Sequence, residues 1–140
     1  METIGALQGR GAEYYQKLGY ALQKNKKYAE AIDAYLKADT LKPDNIWNNR
    51  HLAICYRLNR NYQAALSYYK KVEEATPEDT NVIFHIGSCL AELGQYEEAA
   101  NYFFKLDFIE SNCIKAWRGI GWCSFISRKY EQAMKYYEKI

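Results

Sequence analysis

The residues of this 140-residue chain whose types and spacing first suggest metal or nucleophilic chemistry are its four cysteines, two histidines and Ser88. Cys55, Cys89 and Cys123 stand 34 residues apart, and the place one period earlier holds Ala21. The thiols could bind zinc or form disulfides, but no CxxC pair supplies the usual zinc spacing. Interchange with Ala at a fixed period points instead to Cys as a small apolar packing residue. An unpaired set of thiols suits a reducing compartment. Cys113, at a predicted helix start, is the thiol expected to be exposed. His51 and His85 are one period apart too, with Lys17 and Gly119 in the equivalent places. Two imidazoles with no carboxylate at their level do not complete a metal site. Ser88 lies one helical turn from His85, yet no acid is placed to orient the imidazole, and a hydrolytic triad needs all three roles filled. "GIGWCS", from Gly119, offers Gly-x-Gly without the third glycine or the preceding strand of a dinucleotide loop. No catalytic, cofactor-binding or metal-binding set emerges. The chain is not expected to be an enzyme.

The elements that would carry these residues follow from one period. "KYAEAIDAYLKA" at Lys27 returns as "NYQAALSYYKKV" at Asn61, "QYEEAANYFFKL" at Gln95 and "KYEQAMKYYEKI" at Lys129, without an insertion. A fixed period of this length is the mark of a stacked repeat. Leu18, Leu52, Ile86 and Ile120 are in phase; so are Gly19, Ala53, Gly87 and Gly121. Ala31, Tyr35 and Ala38 fall at i, i+4 and i+7, one face of a helix. Short polar breaks ("NKK", "NRN", "LGQ", "SRK") let the chain reverse, while Pro43 and Pro77 end second helices and "PDN" and "PED" supply the next caps. The pattern predicts eight helices, over 12–25, 28–41, 46–59, 62–75, 80–93, 96–109, 113–127 and 130–140. Small residues allow two helices to approach closely and the aromatics fill the wedge between pairs, so the kept positions are a packing code.

Composition limits the function. A net charge of +2, with basic residues scattered among acids, gives no argument for nucleic acid. No apolar run approaches the roughly 20 residues of a membrane span. The N-terminus "METIGALQGRG" lacks the basic and apolar regions of a secretory signal, and the expected location is cytoplasmic.

The repeat resembles the tetratricopeptide repeat (TPR) family. "YYQKLGYAL" supplies Tyr15, Leu18, Gly19 and Leu22, followed by Ala31, Tyr35, Ala38 and Pro43; "WRGIGWCSF" supplies Trp117, Ile120 and Gly121. The resemblance implies an all-α TPR-type α-solenoid, a right-handed superhelix of antiparallel helix pairs. It would form a single domain over 12–140, with repeats 12–45, 46–79, 80–113 and an incomplete 114–140, after a leader at 1–11 that is either disordered or part of a preceding helix. Asn49 stands where the family favours an aromatic, and Ser111 where it favours Pro. The last copy stops short with no polar cap, as in a fragment or a chain whose edge a partner covers.

The family binds other proteins, usually in the concave groove lined by first helices. Carried over by register, that groove comprises Gln16, Tyr20 and Gln23; Trp47, Arg50, His51, Ile54 and Arg57; Asn81, Phe84, His85 and Ser88; and Lys115, Arg118, Trp122 and Phe125. Trp, Tyr, Phe and Arg are the side chains of interface hot spots. The carboxylate clamp of chaperone-tail-binding members is not matched: its places hold Gln16, Tyr20, His51, Asn81 and His85 in one frame and Arg50, Ile54, His85, Lys115 and Gly119 in the other. The expected function is therefore a protein-interaction scaffold that takes an extended peptide or partner helix, with acidic and aromatic residues in the ligand. The alternatives are a chaperone of secreted subunits and a structural piece of a larger assembly. Phe104 with Phe108, and the uncapped C-terminal edge, suggest an apolar outer patch and self-association.

Overall fold

A computed structural model describes the backbone of residues 4–140 and the side chains of residues 11–140; what is expected of the first three residues of the leader lies outside these. The described residues form helices and no strand. The helices are α1 (Ile4–Lys24), α2 (Tyr28–Leu41), α3 (Ile46–Leu58), α4 (Tyr62–Ala75), α5 (Thr80–Glu92), α6 (Tyr96–Ile109), α7 (Ile114–Ile126) and α8 (Tyr130–Glu138). All eight predicted helices are present, and every end except the start of α1 lies within two residues of that expected. α1 is broken at Gly11 (φ 69°, ψ 163°), a backbone conformation open essentially to glycine, one residue before the predicted start at 12.

The turns repeat as faithfully as the helices. Lys26, Arg60, Gly94 and Arg128, in phase, all have positive φ. The residue after each donates its N–H five residues back: Lys27 to Leu22, Asn61 to Tyr56, Gln95 to Leu90 and Lys129 to Ser124, at 2.8–2.9 Å. This is the left-handed helix ending in which a 6→1 hydrogen bond satisfies an orphan carbonyl. Between copies, the Asn45 side chain caps α3 by accepting from the Asn48 N–H at 2.9 Å. Asp79 caps α5 by accepting from Asn81 and Val82. α6 ends at Ile109, in phase with Leu41 and Ala75, although Ser111 replaces the proline. The Glu110 N–H bonded to the Leu106 carbonyl closes it.

Two compact units divide the chain, one ending at Val72 and the other running from Glu73 to Ile140. In the first, Ala31, Ile32 and Tyr35 of α2 pack on Leu52 and Cys55 of α3. The buried Asn48 ties the two helices by donating Nδ2–H to the Tyr35 carbonyl at 2.9 Å. In the second, Ile83, Leu106, Cys113 and Ala116 form the core, with Phe84 and Tyr102 against it. Cys55, Cys89 and Cys123 are buried free thiols, as the interchange with Ala implied. Cys113 departs from expectation. It precedes α7, but the cap residue turns inward beside Ala116, leaving the thiol buried with Sγ 3.6 Å from Glu110 Oε2. The Phe104–Phe108 patch does not form either. Tyr136 of α8 lies edge-on to Phe104 at 5.8 Å, leaving Phe108 exposed by itself.

Candidate functional site

The predicted groove residues fall into two groups, one on each unit. On the first unit, Gln16 and Tyr20 of α1 and Trp47 of α3 line a cavity of about 400 Å³ with Glu13, Lys17 and Ala21. Tyr20, Trp47 and His51 make an aromatic cluster with centroids 4.1–6.2 Å apart. Gln23 holds the cluster from beneath: its Oε1 accepts from the Tyr35 hydroxyl at 2.7 Å and lies 3.1 Å from His51 Nδ1. Burial, reinforced by Arg50 and Lys24, lowers the His51 pKa below the usual imidazole value. The cations are less available. Lys17 pairs with Glu13 at 3.1 Å. Arg57 donates Nε–H to the Tyr69 hydroxyl at 3.0 Å. Arg50 is half-buried, and neither it nor Arg57 lines the cavity.

On the second unit the predicted residues converge. Phe84 and Ser88 of α5 face Lys115, Arg118 and Trp122 of α7 around a cavity of about 420 Å³. Residues three and four apart share a helix face, so the cavity joins one stripe from each helix. Lys115 Nζ sits 5.1 Å from the Phe84 ring centroid, while Arg118 and Trp122 are exposed. Asn81 lines an adjoining cavity of about 460 Å³, which shares Phe84 and Lys115 with the first. Ser88 donates its hydroxyl to the Phe84 carbonyl at 3.0 Å. Two predicted residues fall outside both cavities. His85 is edge-on to Phe84 at 5.2 Å, and Phe125 stacks on Trp122 at 6.1 Å and meets Tyr130 at 6.0 Å.

Gly119, Phe103, Tyr96 and Glu92 also line the main cavity and were not among the predicted groove residues. Gly119 had a signal in the sequence: it occupies the phase position of His51 and His85. A Cβ at Gly119 would lie 2.6 Å from Phe103 Cγ, so the absent side chain lets the Phe103 ring come against the α7 backbone at the cavity.

The described residues contain no group of three or more His, Cys, Asp or Glu able to hold a metal ion. None of their helices is long and apolar enough to cross a membrane.

Comparison with known proteins agrees with the repeat. Residues 12–45 match the family described as tetratricopeptide repeat, and residues 41–106 match that of anaphase-promoting complex, cyclosome, subunit 3. No curated protein matches the sequence. Among solved structures, MamA AMB-1 is 26% identical with a TM-score of 0.85, over 91% of this chain and 70% of that one. MamA MSR-1 is 26% identical with a TM-score of 0.87, over 96% and 80%. MamA 41-end from Desulfovibrio magneticus RS-1 is 19% identical with a TM-score of 0.87, over 94% and 75%, a likeness of fold alone. With four in-phase copies of one helix-pair code and these matches, the chain is a tetratricopeptide-type helical solenoid, an architecture that serves as a scaffold for protein–protein interaction.

Proposed function

We propose that the unit from Glu73 to Ile140 binds an extended peptide segment between α5 and α7, and that the segment carries a carboxylate beside aromatic or large aliphatic residues. One observation carries this: Lys115, Arg118, Phe84 and Trp122 line a single open cavity. Two cations offer charge-assisted hydrogen bonds to a carboxylate, and the two rings offer flat apolar area next to them. The first unit's cavity has an apolar floor but its one lining cation is paired with Glu13, so it suits the ligand's apolar residues better than its acid. The role is binding rather than catalysis. The four free, buried cysteines support a cytoplasmic, reducing setting. A structural piece of a larger assembly is the second reading, favoured by the match of residues 41–106 to a subunit of a complex.

Affinity should be about micromolar, roughly −8 kcal/mol, because ordering a flexible peptide offsets much of the contact energy. Binding should weaken as salt rises, since the ion pairs are exposed. A peptide-array screen followed by fluorescence anisotropy tests the proposal. Arg118→Ala and Trp122→Ala should each lose at least about 1 kcal/mol with helicity unchanged. Variants that bind every selected peptide as tightly as wild type would overturn it.

A further inference from the structure

The cavity between α5 and α7 carries charge of both signs, at different levels along its length. Phe84, Ser88 and Glu92 stand one helical turn apart on α5, and all three line it. One period on, Arg118 of α7 is in phase with Phe84 and Trp122 with Ser88. α5 and α7 run in the same direction, because the chain reverses into α6 and reverses again out of it. The cavity therefore has three levels: Arg118 beside Phe84, then Trp122 beside Ser88, then Glu92. Arg118 and Glu92 are both exposed. Among the described residues, neither is held in an ion pair. Glu110, the acid of the adjoining cavity, is engaged instead by Cys113, whose Sγ lies 3.6 Å from its Oε2.

Resting on the reading that this cavity takes an extended peptide, we propose that the peptide's acid, at position i, is accompanied by a large apolar residue two places along and by Lys or Arg four places along, in either chain direction. The spacings match. Four residues of α-helix rise about 6 Å, and two residues of an extended strand advance about 6.6 Å. Alternate side chains of such a strand point to one face, so each one on the groove side meets the next level of the cavity. An acid at Arg118 puts the second side chain over Trp122. The third then arrives about 13 Å along the strand, beside Glu92, which lies about 12 Å beyond the Phe84 level. A helical ligand would not keep this register, since its fourth residue advances only about 6 Å and leaves the base at Trp122. Opposite charges at the two ends also exclude a uniformly acidic segment, whose far end would meet Glu92. The partner is a segment of mixed charge.

Fluorescence anisotropy with short labelled peptides tests the proposal, with circular dichroism to verify that variants keep their helices. The first peptide has Glu, Leu and Arg at alternate positions and Ser elsewhere; the second has the Arg moved one place on; the third has Glu in place of the Arg. Each is made in both chain directions. In one direction wild type should bind the first peptide at least about threefold more tightly than the other two, the scale of one exposed ion pair. Glu92→Arg should reverse the order of the first and third. A wild type indifferent to where the Arg stands, or a Glu92→Arg protein with unchanged order, would overturn the proposal; the cavity would still be the binding site if Arg118→Ala and Trp122→Ala weaken binding. Peptides that do not bind at all, or that bind both of those variants as tightly as wild type, would overturn the cavity reading and this proposal together.

Discussion

Adding one methyl group at Gly119 should separate two opposing effects that usually act together. In a helix interior, Gly→Ala gains about 1 kcal/mol of helix propensity. Here the new Cβ would lie 2.6–2.7 Å from three atoms of the Phe103 ring, where ordinary contact needs about 3.4–4 Å. Phe103 is buried and is also held closely from α5, where a Cβ at Gly87 would meet the same ring at 3.0 Å, so the ring has little room to retreat. Overpacking of this kind costs about 1–3 kcal/mol, and a face-on clash with a confined ring belongs in the upper part of that range. Gly119→Ala should therefore lose about 1–2 kcal/mol net. Gly121→Ala is the control. Its Cβ would meet the Tyr137 ring at 2.9–3.1 Å, but these atoms are at the hydroxyl end of a ring that is 41% exposed and can yield. The propensity gain should then prevail, leaving Gly121→Ala neutral or up to about 1 kcal/mol more stable. Urea unfolding followed by circular dichroism reads the difference as a shift of midpoint at constant slope. A Gly119→Ala protein as stable as Gly121→Ala would refute the claim that Phe103 is pinned against α7.

Stability should fall as pH drops below the ordinary imidazole pKa of about 6.5. The His51 pKa is lowered in the fold, so the unfolded chain takes up the proton first; the stabilisation is complete above about 6.5 and lost as pH falls towards the folded value. His51→Gln should flatten that slope in urea midpoints measured from pH 8 to pH 5, and an unchanged slope would reassign it to another group. The buried thiols should be chemically silent, because burial pushes Cys55 up to about 12 and Cys123 up to about 11. At pH 8 a maleimide should modify both only after denaturation, as read by mass spectrometry of peptides; rapid labelling of either in the folded protein would contradict their burial.

The period made the helices, turns and core legible because each kept residue answers a local geometric demand four times over. Ala31, Tyr35 and Leu52 are buried for reasons visible in a single copy, and Asn45 and Asp79 cap as their positions before apolar runs imply. The groove was legible only in part. Lys115, Arg118, Phe84 and Trp122 lie on two helix faces that phase alone brings together. Arg57 was expected in the groove from register alone; its bond to Tyr69 depends on the angle between α3 and α4, which no spacing along one helix encodes. Cys113 was expected outside because a helix start is usually exposed; what buries it is the inward turn of its own loop against Leu106 and Ala116. Leu18 and Ala21 show the reverse limit. Their types match the buried positions of later copies, but burial needs a neighbouring repeat as well as the right residue.

A single phase position explains why the two units offer different sites. At that place α3 carries His51, whose ring stacks over Tyr35 and joins Tyr20 and Trp47 in a closed aromatic cluster. At the same place α7 carries Gly119. There the ring in phase with Tyr35, Phe103, settles against the Gly119 backbone and lines an open cavity, with Lys115, Arg118 and Trp122 arrayed around it. The backbone code is the same in both units, since either residue sits on the same helix face after the same turn. What differs is whether a side chain stands against the second-helix aromatic or the ring settles on the backbone instead. An imidazole there gives a packed, weakly basic surface whose cations are engaged; a glycine gives a recess with two cations at its rim. The proposed binding cavity thus lies at a phase position that varies from copy to copy, with Lys17, His51, His85 and Gly119 in turn.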